Sequence, residues 1–139
     1  MKHRGASIIF HNSQNQVLLV LRDNIPTIPY PNRWDVPGGH IEEHESADEC
    51  IVREMLEEIE TDVTGCRLFR IYEFSDRTEY IFTQPAEFNA ERMVLHEGQM
   101  LRWFSREEAA QLDLAYGFDE VLEDYFNSEE QLNAGISSN

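Results

Sequence analysis

Glu45, Glu54, Glu57 and Glu58 fall, with Arg53, in one short stretch of the chain. Within Arg53-Glu54-Met55-Leu56-Glu57-Glu58, the pairs Glu54/Glu57 and Glu54/Glu58 have the i,i+3 and i,i+4 spacings that make side chains neighbours on a helix, about 5–6 Å apart at Cβ. Like charges at this spacing destabilise a helix by a few tenths of a kcal/mol unless something neutralises them. Carboxylate oxygens are the ligands that Mg²⁺ prefers, and a bound Mg²⁺ holds phosphate oxygens and activates water. In a chain this acidic, an ordinary solvated outer face is the alternative reading of the same three residues. Three flanking features favour the metal reading. Gly38-Gly39 lets the backbone come close to a ligand. Glu45 lies at the positive end of the helix that follows. Arg53 is spaced to pair with a carboxylate and orient it. His40 and His44 stand four apart, but Ile41 follows the first histidine where a zinc-protease helix needs glutamate, so zinc is not expected.

The elements that must position these residues can be read outward from them. Ser46-Ala47-Asp48-Glu49 has the S-x-x-E capping-box pattern, and nothing breaks a helix from there to about Glu60. At about 100° per residue, Ile51, Val52, Met55, Leu56 and Ile59 share an apolar arc, with Glu54, Glu57 and Glu58 expected on the opposite one. Upstream, Ser7–Phe10 and Val17–Leu21 form a hairpin across the polar turn 11–16. Pro26, Pro29 and Pro31 make 22–33 a stiff loop, and Trp34–Val36 is a short extended stretch ended by Pro37-Gly38-Gly39. Downstream, strands are expected over Val63–Phe74, Tyr80–Thr83 and Met100–Phe104. A second capping box at Ser105 opens a helix to Leu112, and Phe118, Val121, Leu122, Tyr125 and Phe126 mark an amphipathic last helix. The small polar end, from residue 128 onward, reads as a frayed tail outside a single domain spanning residues 1–127. Strands before and after an internal helix, with more helix at the end, point to a mixed α/β sandwich.

Composition narrows the partners. The 139 residues suit one domain, and 41% hydrophobic content suits a packed core. A net charge of −16 leaves no basic stripe for a nucleic-acid backbone, so no long nucleic acid is expected. Val17–Leu21, the longest apolar run, is too short to span a membrane, and no long apolar run follows the basic residues at the start of the chain. Cys50 and Cys66 make neither a C-x-x-C pair nor a metal spacing. A cytoplasmic, reduced protein, monomeric or homodimeric, is the expectation.

Gly39, five residues, Glu45, seven residues, then Arg53-Glu54-Met55-Leu56-Glu57-Glu58 resembles the Nudix box, G-x5-E-x7-R-E-U-x-E-E-x-G-U. Trp34-Asp35-Val36-Pro37-Gly38-Gly39 also looks like this family, as does Glu97-Gly98 ahead of a strand ending in Trp103-Phe104-Ser105, and the likeness spans roughly residues 5 to 126. The chain departs from the pattern at Glu60, where the box has glycine, at Thr61, where it has an aliphatic, and at His44, where many members have glycine. The resemblance to Nudix (MutT-like) hydrolases implies an α/β/α sandwich with a mixed β-sheet. It implies an Mg²⁺- or Mn²⁺-dependent pyrophosphohydrolase of a nucleoside diphosphate linked to some group X: a nucleoside triphosphate, nucleotide sugar, ADP-ribose or dinucleoside polyphosphate. Glu54, Glu57, Glu58 and the Gly39 carbonyl would hold metal, with Glu97 a further candidate, and Glu45 and Arg53 would orient the helix carboxylates. The general base would be Glu54 or Glu97. Arg22, Asn32 and Arg33, with Gly38, Gly39 and Asp119, are candidates to touch substrate. Tyr30, Phe74, Tyr80, Phe82 and Phe118 either stack on a base or pack in the core. A nucleotide-sensing module without turnover, supported by Glu60 and Thr61, and an isoprenoid diphosphate isomerase are the competing readings.

Overall fold

The computed structural model describes residues 2–137, with side chains through 132. A seven-stranded mixed sheet carries α1 (Ala47–Ile59) on one face and α2 (Arg106–Ala109) and α3 (Phe118–Ser137) on the other. Its spine is β1 (His3–His11), which pairs antiparallel with β2 (Val17–Leu21) from the register His11↔Val17 and parallel with β6 (Arg77–Pro85) along its whole length. β5 (Arg67–Glu73) closes one edge against β6. On the other side, β3 (Trp34–Asp35) and β7 (Met100–Phe104) both pair with β2, and β4 (Gly38–His40) pairs with β1. The period-2 alternation of a strand sorts the core into two layers. Ala6, Ile8, Phe10 and Leu18 face α1 (Ala47–Ile59), while Ile9, Val17 and Leu19 face α3 (Phe118–Ser137).

The hairpin, the loop 22–33, the helix over 47–59 and β7 fall where the sequence places them. β4 was not expected, because Pro37-Gly38-Gly39 reads as the end of a strand. The pairing needs those glycines: a Cβ on Gly38 would overlap the Ala6 carbonyl oxygen and lie 2.7 Å from Ser7 Cα. α2 (Arg106–Ala109) has its expected capping box at Ser105 but closes at Ala110, short of Leu112. The stripe Phe118, Val121, Leu122, Tyr125 and Phe126 is buried as expected, and α3 runs on to Ser137 through the segment read as a frayed tail; residues 138–139 of that tail lie outside the described residues. Among the described residues, no helix is long and apolar enough to cross a membrane.

The helix wheel needs one correction. Leu56 is 50% exposed, and the buried strip of α1 is Cys50, Ile51, Met55 and Ile59. At about 100° per residue, Glu54 and Glu58 then project between Cys50 and Ile51, inside the strip rather than opposite it. They fit there because this flank of α1 overhangs an open cleft instead of the sheet. Glu57 alone is the outward glutamate.

Both departures from glycine keep a glycine-like backbone. α1 ends on Glu60 at φ 52°, ψ 41°, with its N–H donating to the Met55 carbonyl, and His44 has φ 70°. Side chains adopt this left-handed region at a cost of about 1 kcal/mol. Glu60 thus ends the helix as a glycine would.

Candidate active site

A cleft of about 470 Å³ opens where α1, β4, the loop 22–33 and the segment before β7 meet. Gly38, Gly39, Glu54, Glu58 and Glu97 are among its lining residues. Glu54 lies directly on Gly39: a Cβ there would overlap the Glu54 carboxyl group, with Oε2 at 2.6 Å. The sequence Gly-Gly therefore both pairs β4 with β1 and makes room for a carboxylate against the backbone.

Arg53 is the hub behind these carboxylates. Its Nε and Nη2 donate to the two oxygens of Glu45 at 2.6 and 3.0 Å, and its Nη1 donates to Glu54 Oε1 at 2.9 Å and Glu57 Oε2 at 3.3 Å. Nη2 also reaches the His40 carbonyl at 3.3 Å, which ties α1 to β4. The Arg53 guanidinium, joined by the Glu42 N–H, holds the Glu45 carboxyl down to about 2. Glu58 receives no such partner. Burial first, then the adjoining Glu54 carboxyl and the charges of Glu97 and Asp35, push its carboxyl well above the usual range.

Glu97 is brought to the cleft by a firmly held loop. The His96 N–H donates to the Glu58 carbonyl at 2.8 Å and the Gln99 N–H to the Leu21 carbonyl at 2.7 Å. The intervening Gly98 has φ 101°, where a Cβ would lie 2.8 Å from Val20 Cγ2. The loop thus bridges the end of α1 and the edge of β2 with Glu97 facing the opening.

The cleft lining also holds residues that the motif does not contain, among them the buried Asp35 and Glu79. Asp35 receives Arg22 Nη1 on Oδ2 at 3.1 Å, while burial raises its carboxyl to about 6 against the opposing charge of Arg22. Glu79 receives Arg77 Nε at 2.9 Å, and burial raises it too. Arg77 donates to the Tyr116 carbonyl at 2.5 Å and lies 4.4 Å from the centre of the Phe74 ring. The Arg22 and Arg77 guanidinium groups lie 5.2 and 5.4 Å from the centre of the Tyr116 ring. Arg77-x-Glu79, two charges on one face just ahead of the apolar run Tyr80-Ile81-Phe82, is the sequence signal that could have marked this part of the cleft.

The remaining candidates sort by position. Arg22 lines the cleft. Arg33 does not: it pairs with Asp113 at 3.3 Å and lies over Tyr30. Asn32 accepts from Gln99 Nε2 at 2.8 Å. Asp119 turns back toward the Leu114 N–H at 3.4 Å and lines a separate cavity of about 310 Å³ between α2 and α3, which takes it out of the cleft. Glu45 and Arg53 stand behind the lining, and Glu57, exposed on the outer face of α1, lies at its rim rather than in it. Of the five aromatics considered for stacking, Phe118 alone lines the cleft, joined by Tyr116; Phe82 is core. Cys50 is buried under β4, where burial raises its thiol to about 12, and neither cysteine lines the cleft.

A profile of the NUDIX domain matches residues 1–125. The chain belongs to the NUDIX family. A Bacillus subtilis protein named as a putative 8-oxo-dGTP diphosphatase is 45% identical over 58 residues, covering 42% of this chain and 35% of that protein. The mouse diphosphoinositol polyphosphate phosphohydrolase 2 is 32% identical over 113 residues, covering 78% of this chain and 60% of that protein. The chain thus matches between about one third and three fifths of the length of these relatives. A MutT structure from a study of Aliivibrio salmonicida and Vibrio cholerae superposes with a TM-score of 0.73 at 25% identity, covering 89% of this chain and 96% of that one.

Nudix hydrolases use divalent cations, and the residues present suit one. Glu54, Glu58, Glu97 and the Gly39 carbonyl are the hard-oxygen set of Mg²⁺ and Mn²⁺, with His3 and His40 also on the lining. Among the described residues, no three Asp, Glu, His or Cys side chains already converge in ligating geometry. Instead Glu58 is half-buried beside Glu54, with Glu97 and Asp35 adding like charge. That is a local shortage of positive charge, which a dication offsets.

Proposed function

We propose that this Nudix chain is an Mg²⁺- or Mn²⁺-dependent pyrophosphohydrolase that cleaves a phosphoanhydride bond in a nucleoside diphosphate linked to a further group. One observation carries the reading: Glu58 and Glu54 share the cleft wall beside Gly39 with more negative charge than Arg53 neutralises. Names of relatives that act on 8-oxo-dGTP and on diphosphoinositol polyphosphates support diphosphate chemistry in general. The free cysteines support a reducing, cytoplasmic setting.

Glu54, Glu58 and Glu97, with the Gly39 carbonyl, would hold the cation, and Glu57 would extend the set from the rim. The cation would draw charge from the phosphate oxygens and acidify water. Arg53, clamped by Glu45, fixes the Glu54 rotamer, so that the carboxylates meet substrate without reorganising. A water oxygen attacks phosphorus as the P–O bond to the leaving phosphate breaks, and the leaving oxygen keeps the electron pair. Glu97 accepts the water proton; it lies on a loop held at both ends, whereas Glu54 is already occupied by Arg53. Arg22 is placed to meet the substrate from the loop 22–33.

The test is a panel of nucleoside triphosphates, nucleotide sugars, ADP-ribose and dinucleoside polyphosphates with Mg²⁺ and with Mn²⁺, followed by product analysis. Wild type is run beside Glu54→Gln, Glu58→Gln and Glu97→Gln. Turnover of at least one substrate is expected, with losses of about 10²–10⁴ in the variants. Equal rates in wild type and Glu58→Gln, or no turnover across the panel, would sink the reading.

A further inference from the structure

We infer that the free edge of β5 is a self-complementary interface, along which two copies of this chain pair antiparallel with Leu68 of each opposite Ile71 of the other. The inference is independent of the hydrolase reading, because no residue of β5 lines the cleft.

β5 pairs with β6 on one side and, among the described residues, with no strand on the other. Arg67, Leu68, Arg70, Ile71 and Glu73 are all exposed, with Leu68 at 50% and Ile71 at 46%. Strand residues three apart normally point to opposite faces. Here a bulge at Phe69 shifts the register on β6 from Leu68↔Phe82 to Arg70↔Ile81, which puts Leu68 and Ile71 on the same face. It is the α1 face, because Leu68 stands opposite Phe82 and Ile71 opposite Tyr80, both packed in the layer under α1. Arg67, Phe69, Arg70 and Tyr72 take the other face, where Arg70 pairs with Asp124 of α3 at 3.2 Å.

A bare edge with exposed aliphatic side chains invites pairing, and folds blunt such edges with charge or with a bulge. β5 has both, yet one pairing stays open. Directly opposite residues of an antiparallel pair share a face. When Arg67–Tyr72 lies against a second copy of itself with Leu68 opposite Ile71, every pair obeys this: Arg67 meets Tyr72, and Phe69 meets Arg70. A slip of one residue either way sets Leu68 against Arg70 or Tyr72, which take the opposite face. The bulge therefore selects a register instead of preventing one. An unrelated extended peptide lacks the matching bulge, so the occupant is a second copy.

The charges agree. No two like charges stand opposite in this register. Arg70 lies 4.9 Å from the centre of the Phe69 ring in its own chain and meets the same ring type across the dyad. Arg67 meets Tyr72, whose hydroxyl donates to Asp124 at 2.8 Å. Glu73 is already paired with Lys2 at 3.1 Å. Two chains of net charge −16 thus meet on an edge that carries two arginines and one neutralised glutamate, while about 0.15 M salt screens the remaining charge beyond about 8 Å. Leu68 and Ile71 of both copies then form one apolar stripe on the α1 face.

The test is analytical ultracentrifugation of wild type from about 5 to about 500 µM, beside Ile71→Lys. Wild type is expected to pass from monomer to dimer and no further, since the two-fold uses up the β5 edge of each copy. Ile71→Lys, an exposed change whose folding is checked by its melt, is expected to raise the half-association concentration at least about 10-fold. Register is read by disulfide trapping in a Cys66→Ser background; Cys50 is buried and stays. Leu68→Cys and Ile71→Cys proteins are oxidised separately and as a mixture. The mixture is expected to cross-link and neither protein alone, because opposite Cβ atoms lie within about 5.5 Å, whereas Leu68 and its own copy are offset by about 10 Å along the strands.

A wild-type monomer across the whole range overturns the inference, as does a dimer that folded Ile71→Lys leaves unweakened. Cross-linking of either protein alone to the extent of the mixture overturns the register, and with it the self-complementarity on which the inference stands.

Discussion

Gly39→Ala and Gly38→Ala should fail in opposite ways, although they add the same methyl group to adjacent residues. Neither glycine has a positive φ, so the backbone admits alanine at both. At Gly39 the new Cβ meets only the end of the Glu54 side chain. Oε2 lies at 2.6 Å and ordinary contact begins at 3.4 Å, so the carboxylate must retreat by at least 0.8 Å. A long side chain can do this by changing rotamer, at the expense of its 2.9 Å bond from Arg53. The smaller unfolded-state entropy of alanine returns about 0.4–1 kcal/mol, so stability should stay within about 1 kcal/mol of wild type. Function should not survive, because displacing a reacting group by about 1 Å costs on the order of 10²-fold. At Gly38 the Cβ meets the β1 backbone itself, overlapping the Ala6 carbonyl oxygen. Strands cannot step aside like a side chain, so the β1–β4 pairing must open, with a loss of about 1–3 kcal/mol or more. Thermal melts of both variants should be paired with Mg²⁺-dependent turnover and with Mn²⁺ affinity read by electron paramagnetic resonance. Gly39→Ala should melt near wild type with turnover down about 100-fold and Mn²⁺ weakened; Gly38→Ala should melt several degrees lower. If Gly39→Ala turns over within threefold of wild type, the position of Glu54 is not what the close approach serves. If it melts as low as Gly38→Ala, the distinction between a yielding side chain and a fixed strand is wrong.

Other perturbations probe the frame of the site. Glu60→Gly removes the strain of φ 52° at the C-cap and an exposed 2.6 Å pair with His96, so it should stabilise by up to about 1 kcal/mol and raise Tm by about 2–4 °C; a lower Tm would mean that the His96 pair outweighs the strain. Met55→Ala, at a fully buried position, should cost about 2–5 kcal/mol in denaturant unfolding, whereas Leu56→Ala, half exposed, should stay within about 1 kcal/mol; similar costs would restore the wider apolar arc. Asp35 has a folded value of about 6, above its ordinary 3.8. Its protonated form therefore favours the fold below about 3.8, and that contribution is lost as pH rises through 6, amounting to about 3 kcal/mol at most. Melts of Asp35→Asn against wild type should show the variant gaining relative stability between pH 4 and 7, and a constant difference across that range would contradict the burial argument. Glu45 runs the other way: held at about 2 by Arg53, it stabilises above about 4.5 and loses that contribution as pH falls toward 2, so Glu45→Gln should flatten the acid limb of the melting curve, and an unchanged limb would assign it elsewhere.

What could be read from the sequence was mostly local in physical origin. Ser46 and Glu49 form a capping box because both partners lie within one turn, and the 12–16 turn closes on Asn12 Oδ1, which accepts from the Gln14 and Gln16 N–H groups at 3.0 Å. Arg53 reaches Glu54 and Glu57 for the same reason, while Glu45, eight residues back and before the N-cap, meets it only because the turn ahead of α1 folds back. What was missed depends on pairing between distant segments. Gly38 looks like a stop until β1 lies beside it, and Glu79 falls outside the expected strand Tyr80–Thr83 until the parallel register puts it opposite Gly5 on the spine of the sheet. The wheel erred because periodicity finds the axis of a buried strip but not its edges: those are set by where the sheet ends and the cleft begins, so Leu56 falls outside and Glu58 inside.

The departures at His44 and Glu60 bear on whether the chain keeps the chemistry of its family. Replacing glycine can change shape or only add strain, and here both residues hold the left-handed backbone. The strain at Glu60 lies at the end of the helix that presents Glu54 and Glu58, yet the Glu60 N–H still donates to Met55, and the neighbouring Glu58 carbonyl still anchors the loop bearing Glu97. The substitutions therefore bear on stability, while the electrostatic state of the cleft depends on Arg53. One guanidinium serves Glu45, Glu54 and Glu57, and none of it reaches Glu58. If a second arginine stood near Glu58, the carboxylates would be a closed salt-bridge network with little need of a cation. As built, one guanidinium faces several carboxylates and none of it reaches Glu58 on the cleft lining, and this shortage of positive charge, more than the number of glutamates, favours a cation there.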